Sequence, residues 1–569
     1  MAAISLVTDF AVYRMAKVLG VNPWNCLTIL ASSYVTLVFN TRTFSNAFEC
    51  AGFAMLLMLV VISRQDQLKP LVQSTPKEEK SGEGDEGEGD GKKKQKKQKK
   101  KVTSPPVKRS SSRDSFIGFW LGVFIAECTF SRPTFPAFFL IPIVFWVTGK
   151  ETSLSGRAIM EIIKNVFFLL PGFAVMSLFC VVTDSIYYET LDGRIFDSTE
   201  VLLEHLDSDL FNNLTITPWN FLKYNLQDDN LAEHGIHPRI THFMVNMPML
   251  FLPFFVCILA EIHSVYKARS QNRAAGFTAS TSRAFLLLTV LSPIMLLSCL
   301  PHQEQRFIIP VITPLVLLYS NFVTRRGSSF PSAPFILFNV LGCFVFGQLH
   351  QGGLVDCIEH LRGVATKPVV DDTPMSYHYV FYHTYMPPRH LFQMTNQILP
   401  ANANLEDDEY KPIMDKGENV VQVHDLMGAG RLDMHRVVEQ LLSDYKTPIP
   451  PPYEKKIMIV SPASLDPIFC RLGVKYNFKL KAKFGSHLSM EDPPEWFPTY
   501  KCVSDQRRGY HKMKFREKLE TMFSLFVYEV EIVRLFPPEK DPVKIAEIKR
   551  KRKEGWEQRK SKKQHVEKM

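Results

Sequence analysis

Long apolar runs dominate the first part of this chain and limit the folds open to it. From Trp24 to His350 they follow one another with short polar loops between them. Their lengths are on the order of 20 residues, which is enough to cross a bilayer as a helix. Several such runs predict a polytopic membrane protein rather than a large soluble core. The predicted spans are 24–40, 47–63, 115–130, 135–149, 158–183, 243–262, 284–300, 307–324 and 334–349.

Shifts in composition divide the chain into parts and predict a mostly α fold with a C-terminal α/β domain. The parts are membrane helices over 1–63, a charged low-complexity loop over 64–114 that we expect to be disordered, a multi-span domain over 115–350 with a large loop at 184–242, the α/β domain over 351–535, and a basic tail over 536–569.

The basic charge is local, and it indicates topology rather than a nucleic-acid partner. Almost every residue from Lys92 to Lys101 is lysine, although the formal net charge of the chain is only +10. Basic loops stay in the cytosol. Counting spans outward then places 184–242, 301–306 and everything beyond 350 on the luminal side. The glycosylation triplet at Asn213 falls on that same side.

The region beyond 350 has strand-like and helix-like stretches. The strands predicted are YHYVFYHTY, ENVVQVHDL, KKIMIVSPA and MFSLFVYEVEI, and LDMHRVVEQLLSDY has helical spacing. No glycine-rich nucleotide loop follows a strand. The ten cysteines lack zinc-ligand spacing, and most lie in apolar runs. We therefore expect no cofactor, no metal site and no disulfide framework.

Polar residues gather at the predicted luminal ends of the spans. Each has a structural reading, because arginines near a span end extend to lipid headgroups and acid–base pairs hold helix starts. Together they favour a functional path, and several cations on one face suit an anion such as a lipid phosphate. The spacing of four between His302 and Arg306 predicts one shared face of a helical turn. The residues are Arg42, Arg132, Asp184, His302, Glu304 and Arg306.

The stretch PHQEQRF resembles the HKExRF signature of the endoplasmic-reticulum mannosyltransferases that use dolichyl phosphate mannose. RTFSNAFE, SRPTFP, TPWNFLKYN and GIHPRITH agree with this, and together they resemble the branch that mannosylates glycosylphosphatidylinositol (GPI) precursors. Gln303 replaces the commoner lysine. That variant, with SSYVTLVFNTRTFSN, is most similar to the transferases that add the fourth, α1,2-linked mannose. The resemblance covers residues 20–350 and continues through YHTYMPPRHL and VHDLMGAG.

This resemblance implies a GT-C type glycosyltransferase in the endoplasmic-reticulum membrane, with a lipid-linked donor, a GPI acceptor and no nucleic-acid partner. The leaving group of the donor is already a phosphate, so the enzyme must deprotonate the acceptor hydroxyl and stabilise the departing anion. The resemblance implies that His302 and Arg306 bind the donor phosphate, with Arg132 and Arg42 in support. Glu304 would orient one of these phosphate-binding side chains. Asn225 and His237 would contact the sugars.

One departure from the family concerns the general base. Relatives carry an acidic motif such as HPDE in an early luminal loop, and its carboxylate is the base that the resemblance implies. No HPDE occurs in this sequence. We therefore expect an N-terminally incomplete chain that is inactive alone, so rescue of cells lacking the transferase would contradict this expectation. The alternative is that Asp184 or Asp9 serves as the base.

Other functions stay open at this point. A transporter would show inverted repeats and charges inside several spans, whereas the polar residues here gather at one face. A non-catalytic membrane scaffold would also account for the missing base. Within the enzyme class, the alternatives are addition of the third GPI mannose or of a mannose to the N-glycan precursor.

Overall fold

The structure is a computed structural model. It describes residues 2–42, 45–68, 71, 111–149, 155–191, 214–225, 237–270, 281–368, 374–394, 398–399, 418–443, 454–466, 469, 476–490 and 514–532. The chain divides into two compact units, Met1–Gly347 and Gln348–Met569. Nearly all of the predicted disordered loop, the predicted glycosylation site Asn213, the basic tail, Cys470 and Cys502 lie outside the described residues.

The first unit is helical throughout its described part. Its α-helices are α1 Ala2–Leu19, α2 Pro23–Ala31, α3 Ser45–Ser63, α4 Ser111–Ser131, α5 Pro136–Thr148, α6 Gly156–Tyr187, α7 Thr217–Asn225, α8 Met247–Ser270, α9 Thr281–Leu297, α10 Ile312–Val323 and α11 Ala333–Phe344. π-Helical turns cover Val35–Asn40, His242–Asn246 and Val345–Leu349, and a 3₁₀ helix covers Gln305–Val311.

Four helices in the described part are long and apolar enough to cross a membrane. They are Ser45–Ser63, Gly156–Tyr187, His242–Lys267 and Gln305–Val323, with mean hydropathies from 1.6 to 2.3. The second of these leaves almost all of its apolar surface exposed, as a lipid-facing helix does. The prediction of a mostly helical membrane chain is therefore confirmed. Several of the predicted spans are shorter helices joined to π-helical turns.

Glycines allow α4 and α6 to pack with their backbones almost touching. A Cβ on Gly172 would lie 1.9 Å from the carbonyl oxygen of Phe119, and a Cβ on Gly122 would lie 2.2 Å from that of Leu169. Small residues that permit such close approach are the usual means by which helices associate in lipid. Pro253 has a different effect, because the backbone leaves helical geometry at Phe251, two residues before it.

The N-terminal helix packs into the helical bundle. Its buried stripe, Val12, Met15, Ala16 and Leu19, lies in the same apolar core as α3 and α10.

The second unit is built on a six-stranded sheet with the order β2-β3-β1-β4-β6-β5. The strands are β1 Met375–Phe381, β2 Ile398–Leu399, β3 Val420–Asp425, β4 Glu454–Pro462, β5 Tyr476–Gly485 and β6 Ser524–Ile532. β1 is parallel to β3 on one side and to β4 on the other, with Phe381 opposite Asp425 and Val460. β6 is antiparallel to β4 and to β5.

Helices cover both faces of this sheet. Helix α12, Gly353–Ala365, packs with Tyr379 and Val423 on one face, and α13, Arg431–Ser443, packs with Val380 and Ile459 on the other. The remaining described helix, α14, spans Phe515–Met522. The four predicted strands and the predicted helix are confirmed, whereas β2 and β5 were not predicted.

Candidate functional site

The PHQEQRF stretch forms a turn that joins α9 to α10 and gathers three ionisable side chains. Glu304 lies in extended conformation, and the 3₁₀ helix begins at Gln305. Nε2 of His302 donates to Oε1 of Glu304 at 2.8 Å, and Nη2 of Arg306 donates to the same oxygen at 3.0 Å. We call His302, Glu304 and Arg306 the turn cluster.

The prediction that His302 and Arg306 share one face of a helical turn is wrong. A helical turn would need all five residues in helical conformation, but residue 304 is extended. The two side chains meet because both bind the carboxylate of Glu304. Glu304 thus contacts both side chains, where the resemblance implied that it orients one of them.

Electrostatics keep Glu304 ionised. Burial alone would raise the pKa of its carboxyl group, but the hydrogen bond from His302 and the positive charge of Arg306 outweigh burial and lower that pKa to about 2. The side chain of Arg306 remains 41% exposed. A guanidinium that is fixed on one side by a carboxylate and open on the other can still bind an anion.

A second cluster of polar side chains lies at the start of α3 and before α5. We call Ser45, Asn46, Glu49, Arg132 and Thr134 the helix-end cluster. Nε of Arg132 lies 3.0 Å from Oε2 of Glu49, as an ion pair, and Nη1 of Arg132 donates to Oγ of Ser45 at 2.8 Å. Thr134 and Asn46 donate to the two oxygens of Glu49 at 3.1 and 3.3 Å. The Glu49 side chain is fully buried, so its contacts are those of a carboxylate built to hold Arg132.

Phe307 brings the two clusters to the same place. The guanidinium carbon of Arg132 lies 5.5 Å from the centre of the Phe307 ring, within the range of a cation–π contact. The ring of His302 lies 5.7 Å from the same ring centre. One arginine and one member of the turn cluster, each bound to a carboxylate, therefore contact the same aromatic ring.

Gln303 is buried in this turn and faces away from the charged groups. Its Oε1 accepts from the backbone N–H of His242 at 3.0 Å, and its Nε2 donates to the carbonyls of Ser298 and Leu300 at 3.2 and 3.1 Å. The residue that departs from the family signature therefore shapes the turn.

Two histidines from the segment just before α8 lie beside the turn that carries the turn cluster. His237 accepts the backbone N–H of Gln303 on Nδ1 at 3.3 Å, and its ring lies 5.7 Å from that of His302. Burial, then the charge of His302, lowers the pKa of His237, so it stays neutral at neutral pH. His242 is fully buried, and its Nδ1 accepts from Asn246 at 3.0 Å.

The other sequence-predicted residues lie apart in their described contacts. Arg42 donates to the carbonyl of Gly347 at 3.1 Å. Asp184 accepts a hydrogen bond from the hydroxyl of Thr217. No hydrogen bond or ion pair among the described residues joins either one to the turn cluster. Asn225 ends helix α7, and its side chain lies outside the described part of the chain.

Sequence reasoning missed Glu49 and His242, and it assigned no role to Ser45, Asn46 or Thr134. All of them lie within the stretches that carry the resemblance, RTFSNAFE, SRPTFP and GIHPRITH. The signal that could have found Glu49 is a carboxylate one turn into an apolar span, where an ionised side chain is costly without a partner. Within the described residues, no three His, Cys, Asp or Glu side chains are arranged to hold a metal ion.

Membrane-length helices with paired arginines at one end define a polytopic membrane protein with a site suited to an anion. The chain belongs to the Alg9-like mannosyltransferase family, whose model matches residues 1–393. This membership favours the enzyme class over a transporter. No solved structure matches the chain.

Relatives with named functions narrow the comparison. The chain is 35% identical to human GPI alpha-1,2-mannosyltransferase 4, over 71% of this chain and 61% of that protein. It is 27% identical to Drosophila melanogaster GPI mannosyltransferase 4, over 89% of this chain and 74% of that protein. The Candida albicans GPI mannosyltransferase 4 is 25% identical, over 77% and 69%. The chain thus spans about three-fifths of the length of the human relative that it matches.

Proposed function

We propose that this chain belongs to an α-mannosyltransferase that moves mannose from dolichyl phosphate mannose to a GPI precursor, adding the fourth, α1,2-linked mannose. The observation that carries the proposal is that Arg132, paired with Glu49, and His302, bound with Arg306 to Glu304, both contact the ring of Phe307. The names of the relatives supply the acceptor and the linkage.

The chemistry requires an anion site at the bond that breaks. When the C1–O bond of the donor mannose breaks, negative charge grows on the lipid phosphate. Donors fixed before the reaction stabilise such charge best. Arg306 is fixed by Glu304 and Arg132 by Glu49, so neither has to reorganise as the charge develops.

Glu304 does not act as the general base in this proposal. It is engaged by Arg306, and its pKa of about 2 is far below that of a base suited to neutral pH. Asp184 is bonded to Thr217, and its described contacts give no support to a role as base. The residues described here account for the donor-phosphate side of the reaction.

The proposal extends to orientation and location. It assigns a GT-C type fold, the endoplasmic-reticulum membrane and a luminal position for the turn cluster and for the second unit. The basic loops on the opposite ends of the spans support this orientation, because such loops stay in the cytosol.

A pair of substitutions at the native locus tests the function. Arg306→Ala is expected to abolish transfer of the fourth mannose without changing the protein level, because the developing phosphate charge loses its donor. Arg326 is an exposed arginine at the start of the loop after α10. Arg326→Ala is therefore the matched control, and it should leave transfer unchanged.

The readout is the profile of lipid-linked GPI precursors in those cells. The proposal predicts loss of the tetramannosyl precursor and accumulation of the trimannosyl precursor in the Arg306→Ala cells and in cells with the gene disrupted. An unchanged GPI profile, or a defect confined to the N-glycan precursor, would contradict it.

A further inference from the structure

The second unit holds a switch point at the ends of β1 and β3 that the proposed reaction does not use. After β1 the chain passes to one face of the sheet, where Phe392 stacks on Tyr379 with ring centres 5.7 Å apart. After β3 the chain enters α13 on the opposite face, where Met434 is buried. Adjacent parallel strands whose connections part in this way leave a crevice, and open α/β sheets bind ligands there.

The backbone at this crevice is unusual. His383, after β1, and Met427, after β3, adopt left-handed conformations with φ of 55° and 43°. The N–H of His383 donates to the carbonyl of Met427 at 2.7 Å and joins the two loops. Non-glycine residues in this region are strained, and strain of this kind is concentrated at functional sites.

Polar atoms at the crevice lack partners within the described residues. Oδ1 of Asp425 accepts the N–H of Met427 at 3.1 Å, but its Oδ2 is buried and makes no hydrogen bond there. The hydroxyl of Thr384, a residue only 3% exposed, makes none either. A buried polar atom without a partner costs free energy, so these two atoms are suited to a ligand that brings hydroxyl groups.

An aromatic side chain borders the same loop. Tyr385 is 42% exposed, and its hydroxyl is 3.0 Å from Nε2 of His350, which fixes the edge of the ring. Met386 beside it is also exposed. A half-exposed aromatic face next to hydroxyl-binding groups matches a sugar ring, which has an apolar C–H face and a polar rim.

We infer that the crevice formed by Thr384, Tyr385 and Asp425 is a binding site for a neutral hexose. A carboxylate accepts hydrogen bonds from hydroxyl groups, and the nearby positive charge of Arg389 offsets the charge of Asp425, so the ligand class is a neutral polyol. The hexose that the proposed acceptor presents is α-linked mannose, so this choice of sugar rests on the proposed function.

The inference is tested on the full chain in lipid nanodiscs with methyl α-mannopyranoside as the probe. Saturation-transfer NMR titration measures binding without donor or acceptor lipid. The wild type is expected to bind saturably, and Asp425→Asn and Thr384→Val should each weaken binding about tenfold, the loss expected for a hydrogen bond that a buried group makes with the sugar. Asp356→Asn, at an exposed position on α12, is the control and should change nothing.

The outcomes separate this site from the proposed reaction. Arg306→Ala should lose mannose transfer yet keep the binding that Asp425→Asn removes. No saturable binding by the wild type, equal binding by Asp425→Asn and Thr384→Val, or binding of inorganic phosphate at the crevice in place of the sugar would overturn the inference. Because Thr384→Val keeps the side-chain shape, it decides the question if Asp425→Asn fails to fold.

Discussion

At the scale of single residues, two carboxylates hold two arginines in place at one end of the helical bundle. Glu49 is fully buried beside Arg132, and Glu304 bridges His302 and Arg306. An ionised group at this depth is costly unless it is paired. The pairing neutralises part of each arginine while leaving its other N–H groups available to an anion.

Replacing Glu49 by glutamine tests how far Arg132 depends on its partner. Glu49→Gln keeps the shape but removes the counter-charge of Arg132, whose side chain is 15% exposed, and breaking a buried pair costs about 3–5 kcal/mol. We expect a lower midpoint of thermal unfolding and weaker donor binding. Glu359→Gln is the control, because the Glu359 side chain is 72% exposed. Equal midpoints for the two variants would show that Arg132 does not need Glu49.

Acid pH should weaken the turn cluster. The pKa of Glu304 is lowered from 4.5 to about 2, so its pairing stabilises the folded state fully above the higher value and less as pH falls toward the lower one. The midpoint of thermal unfolding of the wild type should exceed that of Glu304→Gln at pH 7. The difference between the two should shrink between pH 4.5 and pH 2. A difference that stays constant over this window would contradict the pairing.

At the scale of elements, the turn from Ser298 to Arg306 is set by the buried amide of Gln303. It donates to two carbonyls on one side and accepts from the N–H of His242 on the other. The turn, the end of α9 and the π-helical turn before α8 are thereby fixed together, and the extended conformation of Glu304 follows within this frame.

The stability of Gln303 variants should depend on whether the new side chain offers a hydrogen-bond donor to the turn. Gln303→Glu replaces the donor to Ser298 and Leu300 with an acceptor, and each unsatisfied buried carbonyl costs about 1–3 kcal/mol. Gln303→Lys keeps a donor and should be better tolerated. The midpoint of thermal unfolding in detergent measures this, with Gln305→Glu at a half-buried position as the control. A Gln303→Glu protein as stable as the lysine variant would be the contrary result.

The elements differ in how well sequence predicts them. The helices of the first unit follow from apolar runs, because in lipid every backbone group must be bonded within its own segment. Strand β5 was not predicted, although its sequence alternates clearly, with Lys479, Lys481 and Lys483 between apolar residues. The geometry of the turn cluster could not be predicted from the sequence. It depends on the hydrogen bonds of Gln303, whose partners are the carbonyls of Ser298 and Leu300 and the N–H of the distant His242.

At the scale of the whole molecule, the two units have separate chemistry in their described parts. The first collects cations for an anion, and the second presents a carboxylate and a hydroxyl at a sheet switch point. The motifs that carry the family resemblance fall in both, since the family match extends to residue 393.

The affinity for a lipid phosphate measures directly whether the turn cluster binds the donor phosphate. The full chain in nanodiscs is titrated with dolichyl phosphate, and the affinity is compared with that of Arg306→Ala and Arg326→Ala. A charge-assisted hydrogen bond is worth about 1.5–3 kcal/mol, so Arg306→Ala should bind at least about tenfold more weakly. Arg326→Ala should bind like the wild type. Equal affinity of the wild type and Arg306→Ala would contradict the assignment of the turn cluster as the donor-phosphate site.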